Sequence, residues 1–217
     1  MLGRGVYNLP EAARLTGLTP SRVREWFLGR PSETSRQPVF QGDYEPINGD
    51  RAISFLDLIE LYIAGSLRNH GLSLQRLRRI HSKMSEHLNS KHPFSQREIL
   101  TDGVDLFIRN DEDGRDELVD ILRDQRVFPS ILLPFLKSIE FDPSNHLAKR
   151  WNISEMVVVD PSICFGKPII DPVGMSTTIL AQAYRANGDD ADLVAYWYNV
   201  KPEHVMAAVE FENRLAA

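Results

Sequence analysis

Apolar residues recur at helical spacing near the start of the chain and predict two short helices close together. Asn8 is placed to cap the first helix, and Gly17 ends it after about two turns. Thr19 caps the second, with Pro20 at its first position, where a missing N–H costs no hydrogen bond. Gly29 stops this helix. The pattern therefore predicts two helices joined by Gly-Leu-Thr, the connectivity of a helix-turn-helix.

The second of these helices has two chemically different faces. Its apolar stripe consists of Val23, Trp26 and Phe27. The opposite side carries serine and arginine, residues that pair with base edges or phosphates of DNA: Ser21, Arg22 and Arg24. A solvated helical face is the alternative interpretation, and the rest of the chain has to decide between them.

Downstream, short apolar runs surround Asn48-Gly49, which is a strong hairpin signal. Ser54 then opens a third helix that extends to about Arg68, and Ser73 opens a fourth. The fourth helix has an apolar stripe and a basic side. Its stripe comprises Leu74, Leu77, Ile80, Met84 and Leu88.

The remaining chain predicts a small mixed α/β region followed by three helices. The run NDEDGRDELVD, residues 110–120, resembles a calcium loop, but placing Gly114 at loop position six puts Arg109 at the first ligand position, where a carboxylate must lie. The histidines show no metal-binding spacing, and no catalytic triad is evident. The first of these three helices is predicted to end at Asn187-Gly188. The second is predicted to begin in the Asp189-Asp190 turn, and the third at Pro202. The inward positions of the last helix are Val205, Met206 and Val209.

Composition adds two constraints. The chain has 217 residues, 42% hydrophobic and 25% charged, as expected of a globular protein. No apolar run approaches the roughly 20 residues of a membrane span. The single cysteine, Cys164, excludes an internal disulfide and fits a reducing cytoplasm. Because it lies between Ile163 and Phe165, it is expected to be a buried, unreactive thiol.

The net charge of −5 is distributed unevenly. Residues 1–92 carry 13 Lys and Arg against 9 Asp and Glu, whereas residues 93–217 carry 12 against 21. The net charge is therefore +4 for residues 1–92 and −9 for residues 93–217. This asymmetry indicates that the two parts of the chain have different functions, but charge alone does not identify them.

Residues 7–26, YNLPEAARLTGLTPSRVREW, resemble the opening of the MerR-type winged helix-turn-helix. Residues 51–80 resemble the wing exit and the following helix pair of that family. The resemblance implies DNA contacts from helix and wing residues, namely Arg14, Ser21, Arg22, Arg24, Arg36 and Arg51. After Lys91 the long dimerising helix and effector domain of the family are replaced by HPFSQREILTDG, which argues against an effector-sensing activator.

Residues 160–213 resemble a bacterial antitoxin family known only as a domain of unknown function. Its signature reads DPSICFGKPII here. This segment is not a P-loop, because Pro161 and Pro168 stand where glycine and serine or threonine are required. It is expected to be an extended lead-in against the helices, with Gly166 permitting close backbone approach. Members of the family are typically encoded beside a PIN-like ribonuclease toxin, and both halves together resemble a mycobacterial Vap-type antitoxin.

The last helix departs from a DNA-reading helix, because it offers Glu203, His204 and Glu210 rather than arginines. Phosphate repels carboxylates. We therefore expect this module to dimerise or to bind a basic toxin surface, not DNA.

These observations predict a mainly α protein with short β-hairpins in three parts. Residues 1–92 form a MerR-like winged helix-turn-helix, residues 93–159 a connecting region, and residues 160–217 a C-terminal three-helix domain with a second helix-turn-helix. The expected function is that of a cytoplasmic, homodimeric antitoxin and autorepressor that binds double-stranded operator DNA and a PIN-like ribonuclease toxin. It is expected not to be an enzyme and to have no cofactor, metal or membrane association. The alternative is a stand-alone MerR-like transcriptional regulator.

Overall fold

The structure, a computed structural model, describes residues 4–29, 38–46, 51–100 and 134–216. The chain divides into two compact units. One comprises Tyr7–Ala148, and the other comprises Met1–Val6 together with Lys149–Ala217. The predicted domain limits of 1–92, 93–159 and 160–217 remain a prediction, since compactness alone does not establish which segments fold independently.

The unit Tyr7–Ala148 begins with four helices, each opened by the side chain that the sequence indicates. Asn8 accepts a hydrogen bond from the Glu11 N–H at 2.8 Å, and Thr19 accepts one from the Arg22 N–H at 3.3 Å. Gly17 ends the first helix in the left-handed conformation, with φ at 69°. The helices are α1 Leu9–Thr16, α2 Pro20–Leu28, α3 Phe55–Asn69 and α4 Leu74–Leu88.

The apolar stripe of α2 anchors this helix in the core. Val23, Trp26 and Phe27 are all buried, as predicted. The Trp26 carbonyl accepts hydrogen bonds from the N–H groups of Val39 and Phe40, so the segment after α2 is tied to its last turn. Phe40 also lies edge-on to Trp26, with ring centroids 6.0 Å apart. This packing leaves the opposite side of α2 open to solvent.

A buried carboxylate joins α3, α4 and the segment that follows them. Glu60 on α3 is 1% exposed. One of its oxygens accepts from the backbone N–H groups of Phe94 and Ser95, at 2.7 and 2.9 Å. The other oxygen lies 2.8 Å from Nε2 of His81 on α4. Because an unpartnered buried charge is strongly unfavourable, these three partners fix the relative positions of the segments.

After α4 the described chain forms two 3-10 turns, Pro93–Ser95 and Arg97–Leu100, and resumes with a helical turn at 134–137. Five strands follow in one antiparallel sheet with the order β1-β2-β3-β4-β5. Trp151 pairs with Val159, Val158 with Ile169, and Ile170 with Met175. The strands are β1 Ile139–Phe141, β2 Ala148–Asn152, β3 Val157–Val159, β4 Ile169–Ile170 and β5 Met175–Ser176.

Three helices complete the second unit, at the positions that the sequence predicts: α5 Thr177–Ala186, α6 Ala191–Tyr198 and α7 Pro202–Ala216. The last helix packs against α5 and against strands β3 and β4. Glu212 on α7 also accepts hydrogen bonds from the hydroxyls of Thr177 and Thr178 at the start of α5. The C-terminal helices are therefore joined to the sheet through α7.

The structure corrects four expectations for this part of the chain. The fold is mixed α and β, because five strands between residues 139 and 176 form a sheet outside the predicted hairpins. Met206 is 45% exposed rather than inward. Cys164 is exposed rather than buried, because it lies in a surface turn with φ at 49°. Within the predicted extended lead-in, residues 164–166 instead form this turn, with three consecutive positive φ angles, and the chain is extended from Lys167 into β4.

Other predictions fall outside the described residues. They concern the Asn48-Gly49 hairpin and residues 101–133, which include the candidate calcium loop.

Replacing Glu60 with alanine is expected to destabilise the fold by about 3 kcal/mol, because it leaves two buried N–H groups without an acceptor. Thermal unfolding followed by circular dichroism measures this effect. Glu45→Ala, which removes an exposed carboxylate from the same unit, is the control and should change stability little. Equal melting temperatures for the two variants would contradict the role assigned to Glu60.

Candidate nucleic-acid interface

An open groove of about 520 Å³ lies where the first turns of α1 and α2 meet. Ser21 and Arg24 contribute from α2, one helical turn apart on its exposed side. Arg51 contributes from the segment before α3. The full lining is Asn8, Leu9, Pro10, Pro20, Ser21, Arg24 and Arg51. Two arginines and a serine thus line one surface, a combination of residue types suited to phosphate and base-edge contacts.

The six residues predicted for DNA contact are only partly brought together. Ser21, Arg24 and Arg51 share the groove. Arg14 is exposed near the end of α1, and Arg22 is half-buried, and neither lines the groove. Arg36 lies outside the described residues. The sequence had given no reason to include Asn8, whose side chain also caps α1.

Close packing against neighbouring residues holds the Arg51 side chain in place. Its terminal nitrogen Nη1 would lie 2.7 Å from a methyl group added at Gly42, and the Phe27 ring would lie 3.3 Å from the same methyl group. Its Nε atom is buried and has no hydrogen-bond partner among the described residues. Glycine at position 42 therefore leaves the space that the Arg51 side chain occupies beside the hydrophobic core.

A cluster of ionisable groups joins three segments of the same unit. Asp57 belongs to a capping box with Ser54 at the start of α3. One Asp57 oxygen accepts from the N–H groups of Ser54 and Asp43, at 3.1 and 3.2 Å. Nε2 of His92 lies 2.9 Å from the Asp43 carboxylate, and Nδ1 of His92 lies 3.7 Å from the other Asp57 oxygen.

Burial and neighbouring charge shift the protonation of this cluster. Burial raises the pKa of Asp57 from 3.8 to about 6, against the opposing effects of the His92 charge and the backbone N–H groups. Burial alone lowers the pKa of His92. The hydrogen bond to Asp43 and the charges of Glu60, Asp57 and Asp43 outweigh that effect, so the pKa of His92 is raised overall.

Two carboxylates and a histidine are also metal-ligand types, and one possible ligand atom from each residue lies within 4.8 Å of the others. However, Nε2 of His92 is already hydrogen-bonded to Asp43, and one Asp57 oxygen already accepts two N–H groups. We therefore interpret the cluster as a structural link between the segments. The S-x-x-D pattern from Ser54 to Asp57 was the one sequence signal that could have revealed part of it.

The last helix presents carboxylates on its exposed side. Glu203 and Glu210 are exposed, whereas His204 is buried, and its Nδ1 accepts from the Lys201 N–H at 3.3 Å. Of the three residues proposed for the outer face of this helix, only the two acids lie there. Among the described residues, no helix is long and apolar enough to cross a membrane.

Comparisons with known proteins find similarity at two levels. Residues 157–211 match the model of a family described as a protein of unknown function, DUF433. Over 224 aligned residues the chain is 25% identical to a protein of Mycobacterium tuberculosis named "Putative antitoxin VapB45", covering 94% of this chain and 92% of that protein. A crystal structure of Rv2018 from Mycobacterium tuberculosis is similar with a TM-score of 0.75 and 24% identity. That alignment covers 94% of this chain and 96% of the other, and it supports the fold.

The raised pKa values predict how stability depends on pH. Asp57 favours the folded state most at low pH, and its contribution is lost as pH rises through about 6. The contribution of His92 is present below its unfolded pKa of 6.5 and is lost as pH rises through its higher folded pKa. Both groups therefore make the folded state less stable at pH 8 than at pH 5.

Asp57→Asn is expected to reduce this pH dependence by about 1–3 kcal/mol, because it removes one titrating group and a charge that holds the proton on His92. Urea unfolding of wild type and variant at pH 5 and pH 8 measures the difference. Glu45→Gln, at an exposed position, serves as the control. An unchanged pH dependence in Asp57→Asn would contradict the assignment.

Proposed function

We propose that this chain is the antitoxin of a type II toxin–antitoxin system. In this proposal it represses its own operon by binding operator DNA as a homodimer, and it neutralises a PIN-like ribonuclease toxin. The observation that carries the proposal is similarity along 94% of the chain to a protein named as an antitoxin. That extent of alignment includes both compact units, so it is not confined to one shared module.

The groove beside α2 supports the DNA-binding part of the proposal. In a helix-turn-helix, the first residues of the second helix approach the base edges. Ser21 and Arg24 occupy such positions on α2, and both are exposed. Arg51, from the segment that precedes α3, adds a second cation to the same groove. Serine and arginine supply the hydrogen-bond donors that DNA recognition requires.

A stand-alone MerR-like transcriptional regulator is the alternative. It shares the DNA-binding groove but has no toxin partner. The genetic neighbourhood distinguishes the two functions, because only the antitoxin is expected beside a reading frame for a PIN-like ribonuclease.

Arg24→Ala is expected to weaken binding to the DNA upstream of this chain's own gene by about 1–3 kcal/mol if Arg24 contacts a base. A gel-shift titration at fixed salt measures the effect. Arg79→Ala removes an exposed arginine from α4, outside the groove, and should leave the midpoint nearly unchanged. A midpoint for Arg24→Ala equal to that of wild type would remove Arg24 from the interface.

Stoichiometric addition of the chain is expected to abolish RNA cleavage by the purified ribonuclease encoded beside it. Cleavage of a labelled RNA, together with the mass of the complex from light scattering, measures inhibition and binding. A matched experiment uses an unrelated ribonuclease, which should remain active. Full activity of the neighbouring ribonuclease in the presence of excess chain would leave the regulator as the better description.

A further inference from the structure

In the part of the chain that the structure describes, the large apolar side chains that stand out into solvent lie in the unit containing Lys149–Ala217. The densest group lies on α6. Leu193, Tyr196 and Trp197 are 37%, 83% and 54% exposed. Their spacing of three and four residues places them on one side of this helix, here named the α6 outer face. The opposite side buries Val194 and Ala195.

A helix with apolar residues on all sides is normally buried. On α6 only one side is covered by the unit itself, so the outer face exposes two aromatic rings and a leucine to water. Tyrosine and tryptophan are also the residues that most often dominate the binding energy of protein interfaces. The exposed composition therefore fits a docking surface better than a solvated helix face.

Exposed carboxylates on α6, in the turn before it and on α7 are here named the acidic rim. Asp192 lies one turn before Tyr196 on the same side of α6, and Asp189 and Asp190 precede the helix, all three exposed. On α7, the exposed side carries Glu203 and Glu210, one turn before and one turn after Met206. From residue 185 to residue 210 there are five carboxylates and only two cations, Arg185 and Lys201. Both cations already have partners, in Asn213 and Glu203.

This charge selects the kind of partner. A two-fold contact between identical copies would bring the same acidic rim against itself, which is unfavourable. Nucleic acid and anionic lipid surfaces would be repelled for the same reason. A protein that presents an apolar pocket edged by lysine and arginine is complementary in both respects.

We propose that the α6 outer face and its acidic rim form the docking surface for a basic protein partner. This inference rests on the proposed function, in which that partner is the ribonuclease, whose basic surface would otherwise hold RNA. Tyr196 and Trp197 supply the buried anchors of the interface. The carboxylates pair with the cations at the edge of the partner's pocket.

The test measures binding of the full chain to the purified protein encoded beside it, by isothermal titration calorimetry at two salt concentrations. Tyr196→Ala and Trp197→Ala should each raise the Kd at least about 10-fold. Asp192→Lys should weaken binding and reduce the dependence of the Kd on salt concentration. Phe165→Ala is the matched control, because Phe165 is a 62% exposed aromatic residue of the same unit that lies outside α6, and its Kd should stay within about threefold of wild type. Circular dichroism confirms that each variant is folded.

The possible outcomes separate the two proposals. If wild type binds and the α6 variants bind equally well, the docking surface is wrong while the proposed function stands. If wild type does not bind, the proposed function fails and the docking surface with it. Analytical ultracentrifugation of the chain alone measures its oligomeric state. A dimer that Tyr196→Ala converts to monomer would identify a second copy as the occupant and overturn the assignment.

Discussion

The buried carboxylate of Glu60 is the interaction on which the helical unit depends. A charge that is 1% exposed needs strong partners, and it obtains them from His81 on α4 and from two backbone N–H groups at Phe94 and Ser95. Two segments, α4 and the turn at Phe94 and Ser95, are therefore fixed against α3. The α1–α2 pair packs on this scaffold, where Gly65 of α3 leaves room for the Leu18 side chain. The exposed side of α2 owes its fixed position to these contacts.

The helices of this unit could be predicted because their limits are set locally. Asn8, Thr19, Ser54 and Ser73 each cap a helix with their own side chains, within three residues of the group they bind. The ionisable cluster could not be predicted in the same way. His92 meets Asp43 across 49 positions of sequence, and no local pattern records that contact. The groove is an intermediate case, since the sequence indicated Ser21 and Arg24 but could not place Arg51 beside them.

The C-terminal unit shows a different limit of sequence reasoning. Apolar spacing located α5, α6 and α7, but it does not distinguish a stripe that faces the core from one that faces solvent. Met206 was assigned inward for this reason and is exposed. The strands β4 and β5 have two residues each, too few for an alternating pattern. Similarly, the left-handed backbone of Cys164 and Phe165 is unusual for residues with a Cβ atom, so the apolar letters favoured a buried, extended segment.

In the described part of the chain, two helix pairs have a three-residue turn followed by a helix that opens with proline, namely α1–α2 and α6–α7. Connectivity alone would assign them the same task, but side-chain charge separates them. The exposed side of α2 offers serine and arginine to a groove, whereas the exposed side of α7 offers Glu203 and Glu210. Phosphate attracts the first set and repels the second. We therefore propose that the first module binds nucleic acid and the second a basic protein, which is the combination that an antitoxin regulating its own synthesis requires.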